Sequence, residues 1–191
     1  MAWKLEKWLS EVFPGEDRIY EEYRHLRNRE LAIVSVAVLD IALAELITLR
    51  LADVPDEVET FLGLNEDGRA PVASFGARIQ LGLLLAILTP EDVAILRAMK
   101  GVRNVFAHRV KVTFLSPRVQ KPLAQLWDAS VALNSRIAKN PAINKALLEL
   151  RGELDKVEDA GAGMMFATFC VYQAYFHRLH GRVQRLGNGV L

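Results

Sequence analysis

LAIVSVAVLDIALAELI, residues 31–47, decides the fold. A membrane span needs about 20 predominantly apolar residues, and this run carries Asp40 and Glu45 within it. Carboxylates in hydrocarbon are costly unless compensated, so the stretch reads as a buried helix. The charged residues ahead of it continue the helical period. One long helix is therefore predicted from an N-cap at Asp17 to about Ala52, with only its apolar second half central.

The rest of the chain is consistent with a core built around that helix. Its 191 residues are 51% hydrophobic, enough for one sizeable core and one domain. The 24 lysines and arginines nearly balance 23 acidic residues, and a net charge of +1 provides no bulk attraction to nucleic acid or anionic lipid. Binding to either requires a local patch, and no membrane association is expected. The single cysteine, Cys170, lies in the apolar run MMFATFCVYQAYF. It cannot form an intrachain disulfide and reads as a small buried side chain in a reducing, cytoplasmic setting. The opening MAWKLEKWLSEVF mixes charged and aromatic residues, unlike an export signal.

Punctuation divides the chain into helices. Residues 1–15 form an N-terminal helix or arm ending at Pro14-Gly15, residues 16–139 the core, and residues 140–191 C-terminal helices packing on it. Pro55 opens a short helix closed near Gly63, and residues 64–71 form a loop before SFGARIQLGLLLAIL. TPED, residues 89–92, combines a threonine N-cap, proline at the first helical position and acidic side chains in the first turn. From there Val93, Leu96, Met99 or Lys100, and Phe106 mark an amphipathic face, interrupted at Gly101. RVKVTFLSP, residues 109–117, is rich in β-branched residues and reads as an extended connector, near 109–115, or a hairpin arm. Ser116-Pro117 starts another helix reaching about Lys139, with Pro122 in its first turns, and helices near 141–158 and 161–186 follow. AGAG, residues 160–163, permits close backbone approach or makes a turn. The predicted fold is an all-α, single-domain helical bundle.

GVRNVFAH, residues 101–108, holds the chemistry. Arg103 offers a permanently charged fork suited to phosphate, His108 exchanges a proton near neutral pH, and Asn104 can orient either. RNA cleavage can use such a set, with histidine moving the proton and arginine stabilising charge on the phosphate. On a continuous helix Asn104 and His108 share a face, whereas Arg103 and His108 lie about 140° apart. Convergence requires the helix to end before His108, or a symmetric dimer that sets two copies of the motif across one cleft. The competing reading is a helix terminus: Arg103 and His108 complement the dipole, and Asn104 satisfies backbone groups of the following loop.

RNVFAH resembles the motif of HEPN domains, in which an arginine precedes a histidine by four to six residues and is often followed directly by a polar residue. Arg103, Asn104 and His108 match it. Catalytic members of that superfamily are metal-independent ribonucleases, often toxins or defence effectors, whose paired motifs meet at a dimer cleft. A longer stretch, roughly residues 30–125, is similar to the mannitol operon repressor family, which has a related all-helical fold. The similarity rests on the order of AVLDIALAELI, PVASFGARIQLGLLLAILTPED, MKGVRNVFAH and VTFLSP. The family's serine-phenylalanine and basic-isoleucine positions correspond to Ser74, Phe75, Arg78 and Ile79. Its arginine-asparagine and alanine-histidine positions correspond to Arg103, Asn104, Ala107 and His108.

These resemblances imply a HEPN-like, mannitol-repressor-like helical bundle acting as a homodimeric bacterial-type regulatory protein in transcriptional control. No helix-turn-helix pair with a basic recognition face is evident, so a protein partner suits the chain better than direct DNA binding. The alternative is a metal-independent endoribonuclease acting on RNA through Arg103, Asn104 and His108. Asp40 and Glu45 need compensation, for which Arg78 and Arg103 are the candidates, and an Asp40–Arg103 contact would also orient the motif. Two basic clusters, residues 23–30 and 177–185, read as solvated helix faces. His177 and His180 lack accompanying metal ligands, and neither a metal nor a cofactor is expected. Trp3, Trp8 and Phe13 give the N-terminal helix an apolar face for docking on the core.

Overall fold

The computed structural model describes residues 25–64, 69–137 and 158–173, with scattered positions between 141 and 152. In chain order the helices are α1 (Asn28–Thr48), α2 (Pro55–Leu62), α3 (Phe75–Leu84), α4 (Pro90–His108), α5 (Pro117–Ile137) and α6 (Asp159–Tyr172). Among the described residues there is no strand, and the fold is all-α. The 109–116 segment is an irregular connector, and no hairpin arm forms there.

α1 is the central element and packs against α3, α4 and α6. Leu31, Ala32, Leu39, Leu43, Leu46 and Ile47 are buried around several of its sides, as expected for a helix that is apolar all round. It is long and apolar enough to cross a membrane, yet most of it is covered by the rest of the bundle. Its start differs from the prediction: the helix does not run through from Asp17 but begins at Asn28, after an extended Arg27 (φ −78°, ψ 160°). The Arg27 N–H donates to the Glu30 carboxylate at 2.8 Å. Tertiary bonds hold this end: Asn28 Nδ2 donates to Asp159 at 2.5 Å, and Arg29 donates to the carbonyls of Arg109 and Val110. The far end comes at Thr48 rather than Ala52, where the Thr48 hydroxyl donates to the Glu45 carbonyl at 2.6 Å.

Local signals place the next three helices. Pro55 is the first residue of α2, and Gly63 ends it in the left-handed region at φ 67°. Ser74 caps α3, its hydroxyl accepting from the Ala77 N–H at 3.2 Å. Thr89 and Asp92 form a reciprocal box at the start of α4: Thr89 Oγ1 accepts from the Asp92 N–H at 3.3 Å, and the Asp92 carboxylate accepts from the Thr89 N–H at 2.9 Å.

Gly101 does not interrupt α4, which runs through to His108. It is a contact point instead. A Cβ there would lie 3.1 Å from the Pro122 Cβ, so the missing side chain sets how closely α5 approaches. AGAG likewise lies inside α6 and is not a turn. A Cβ on Gly163 would lie 2.5 Å from Asn28 Oδ1 and 3.0 Å from the Phe114 ring. Phe106, Phe114 and Phe166 stack in series, with centroids 4.6 and 5.6 Å apart, and fasten the end of α4, the connector and α6 together. Cys170 is buried, and burial pushes its thiol pKa well up, so it is chemically quiet. The predicted N-terminal helix with Trp3, Trp8 and Phe13, and the cluster holding His177 and His180, lie outside the described residues.

Candidate functional site

α4 delivers the motif. Its buried face carries Leu96, Met99, Val102 and Phe106, which fixes the roll of the helix against the core. Arg103, Ala107 and His108 are consequently exposed and Asn104 is half-buried. Because the helix continues to His108, the motif residues keep helical spacing, and Arg103 and His108 occupy different flanks.

Each flank has its own surroundings. On one, the positive charge of Arg103 acts on Asp40 of α1. On the other, His108 lines an open groove of about 540 Å³ between the end of α4 and the start of α5. Asn104, Val105 and Arg109 line it from the α4 side, and Pro117, Arg118 and Lys121 from α5. Arg103 does not line it; its guanidinium Nη1 donates to Asn104 Oδ1 at 3.2 Å. Asn104 thus links the flanks, and the phosphate-stabilising cation and the proton-exchanging group do not converge within one chain.

The helix-terminus reading is met in part: His108 is the basic residue in the last turn of α4, while the loop backbone is satisfied by another residue. The carbonyls that follow α4 at Arg109 and Val110 accept from the Arg29 guanidinium, the Val110 bond being 2.8 Å. Asn104 engages Arg103 rather than the loop backbone. Arg29 belongs to the first basic cluster, expected to be a solvated face; it is instead a tether between elements, because the exposed carbonyl end of α4 attracts a cation.

Asp40 pairs with Arg78. Arg78 Nη1 donates to Asp40 at 2.6 Å and Nη2 to the Leu62 carbonyl at 2.7 Å, joining α1, α2 and α3. Burial raises the Asp40 pKa, opposed by the charge and hydrogen bond of Arg78 and then by the charge of Arg103. Glu45 lacks such help: its Oε2 is buried without a hydrogen-bond partner, and burial pushes its pKa up to about 7. The residues singled out at the start of α3 have structural roles here. Ser74 caps, Phe75 and Ile79 enter the core, and Arg78 forms the ion pair.

Sequence reasoning missed Arg109, Arg118 and Lys121 as members of the site. A signal was present: residues 93–127 contain seven lysines and arginines and no aspartate or glutamate, within a chain of net charge +1. Arg118 also stands in the first turn of α5, where a cation opposes the helix dipole and no acidic residue offsets it. Among the described residues no ion pair forms with Arg109, Arg118 or Lys121. Nor do three histidine, cysteine, aspartate or glutamate side chains gather there as a metal site. Compared with protein-family models, curated proteins and solved structures, the chain matches none.

Proposed function

We propose that the chain is a homodimeric, cytoplasmic regulatory protein of the mannitol operon repressor type, acting in transcriptional control through a protein partner and without an enzymatic step. The observation that favours this reading over an enzymatic one is the separation of the motif across α4 within one chain, which leaves catalysis dependent on a cleft shared by two copies. Arg103 faces the Asp40 side, while His108 faces the α5 groove. The near-zero net charge agrees with recognition of a protein rather than DNA.

A second reading has its own support. His108 is exposed in a groove that also holds Arg109, Arg118 and Lys121, an environment able to receive a phosphodiester. In a metal-independent endoribonuclease His108 would act as general acid or base with Asn104 orienting it. Arg103 would reach the same phosphate only across a second copy of the chain.

The two readings part on one experiment. Wild-type and His108→Ala protein, matched for oligomeric state by size-exclusion chromatography, are incubated with RNA in chelator. The regulatory reading expects no cleavage by either. Cleavage by the wild type that disappears in the variant overturns it in favour of the nuclease.

A further inference from the structure

We propose that the groove between α4 and α5 is the docking site for an acidic, apolar-bearing peptide segment of the partner protein. This inference rests on the partner-mediated reading above and specifies the chemistry of the partner. Three observations carry it. First, Arg109, Arg118 and Lys121 line one groove with no carboxylate among its lining residues, and no described acidic side chain pairs with them. The cations are thus uncompensated within the described fold, which complements a run of carboxylates.

Second, apolar surface accompanies the charge. Val105 and Pro117 line the groove, and the connector joining Arg109 to Pro117 exposes Val110 at 89% and Leu115 at 43% of their surface. Arg109 and Arg118 beside this apolar surface fit the arginine enrichment of protein interfaces. Third, no phenylalanine, tyrosine or tryptophan is among the groove's described lining residues, whose one aromatic ring is the His108 imidazole, and the connector's Phe114 is fully buried. Single-stranded RNA is held by stacking successive bases on such rings, and here one imidazole offers a platform for a single base. Charge complementarity selects an acidic occupant, and the apolar lining of Val105 and Pro117, with the exposed aliphatic side chains of the adjoining connector, favours a peptide over a nucleic acid.

The test is a titration of the full chain with three fluorescent probes of equal length: a Glu/Leu peptide, a Glu/Ser peptide and a uridine RNA. The Glu/Leu peptide binds most tightly, and its affinity falls with added salt. The double charge reversal Arg118→Glu with Lys121→Glu weakens it by about tenfold or more. Val110→Ser weakens it by about threefold, toward the level of the Glu/Ser probe. Arg97→Glu, an exposed cation elsewhere on α4 that bonds Gln80, leaves the affinity unchanged. Circular dichroism melts confirm that each variant is folded. Equal or tighter binding of the uridine RNA overturns the proposal, as does failure of the Glu/Leu peptide to bind or indifference to the double reversal. RNA cleavage tests the regulatory reading and peptide affinity tests this docking site, so their failures are distinguishable.

Discussion

The α1–α2–α3 junction and the α4–α5 groove both present arginine, and they use it in opposite ways. At the junction Arg78 is buried, its charge matched by Asp40 and a second fork nitrogen engaged by the Leu62 carbonyl. In the groove Arg109, Arg118 and Lys121 are exposed and, among the described residues, face no carboxylate. A buried cation must be compensated inside the fold, whereas an exposed one remains hydrated and available to a ligand. The difference separates structural from functional charge, although the residue type is the same.

The largest expected effect comes from breaking the first region. Arg78→Ala strands the Asp40 carboxylate in a mostly buried site, and chemical denaturation should show a loss of about 3 kcal/mol at neutral pH. The loss shrinks in acid, where Asp40 takes up a proton and no longer needs its partner. Arg118→Ala should stay within about 0.5 kcal/mol of wild type by the same measurement. Comparable losses in the two variants would dissolve the contrast.

Next in size is Gly163→Ala. Its Cβ would meet Asn28 Oδ1 at 2.5 Å and the Phe114 ring at 3.0 Å, so α6 must shift or Asn28 must release Asp159. A destabilisation of about 1–3 kcal/mol is expected from overpacking, read as a drop in melting temperature. An unchanged melt would remove the assigned close approach of α6 to α1.

The smallest effect sharpens the comparison by testing a buried carboxylate without an arginine. Glu45 has an ordinary pKa of 4.5, which burial raises to about 7 in the folded chain. The folded state therefore binds the proton more tightly than the unfolded state. Stability is greatest below the unfolded value, declines as pH rises through the interval, and has lost this contribution above about 7. Glu45→Gln should raise stability at alkaline pH by about 1 kcal/mol, allowing for solvent screening of this partly exposed group, and shift the melt by about 2–4 °C. In acid the two proteins should melt alike. A gain independent of pH would place the effect in packing rather than ionisation.

Much of the helical framework was legible because its signals are local. Thr89 and Pro90 at the start of α4, Pro55 at α2 and Gly63 after it act through bonds within one turn. The break before Asn28 was not legible, since the bonds holding that end of α1 come from Asp159 and the 109–110 carbonyls. Gly101 was misread for a related reason, and of the two readings of AGAG the close approach is the one found, at Gly163. In isolation glycine weakens a helix, but each of these positions faces an element too near for a side chain. At the site, Arg103, Asn104 and His108 could be found by residue type and spacing. Their division between flanks followed from helix continuity, while the groove cations from α5 required the packing of two helices.

The sequence by itself determined the all-helical class, the burial of most of residues 31–47 and the residue types offered at 103–108, because periodicity and capping operate over one or two turns. Tertiary structure decided that Asp40 pairs with Arg78, 38 positions away, that Arg29 holds a carbonyl 80 positions away, and that Asn28 meets Asp159 across 131. It also placed His108 beside Arg118 and Lys121 rather than Arg103. Local backbone preferences carry no information about which distant side chain ends up within hydrogen-bonding reach. That is settled when apolar faces lock together and a trapped charge must either find a partner, as Asp40 does, or take up a proton, as Glu45 does.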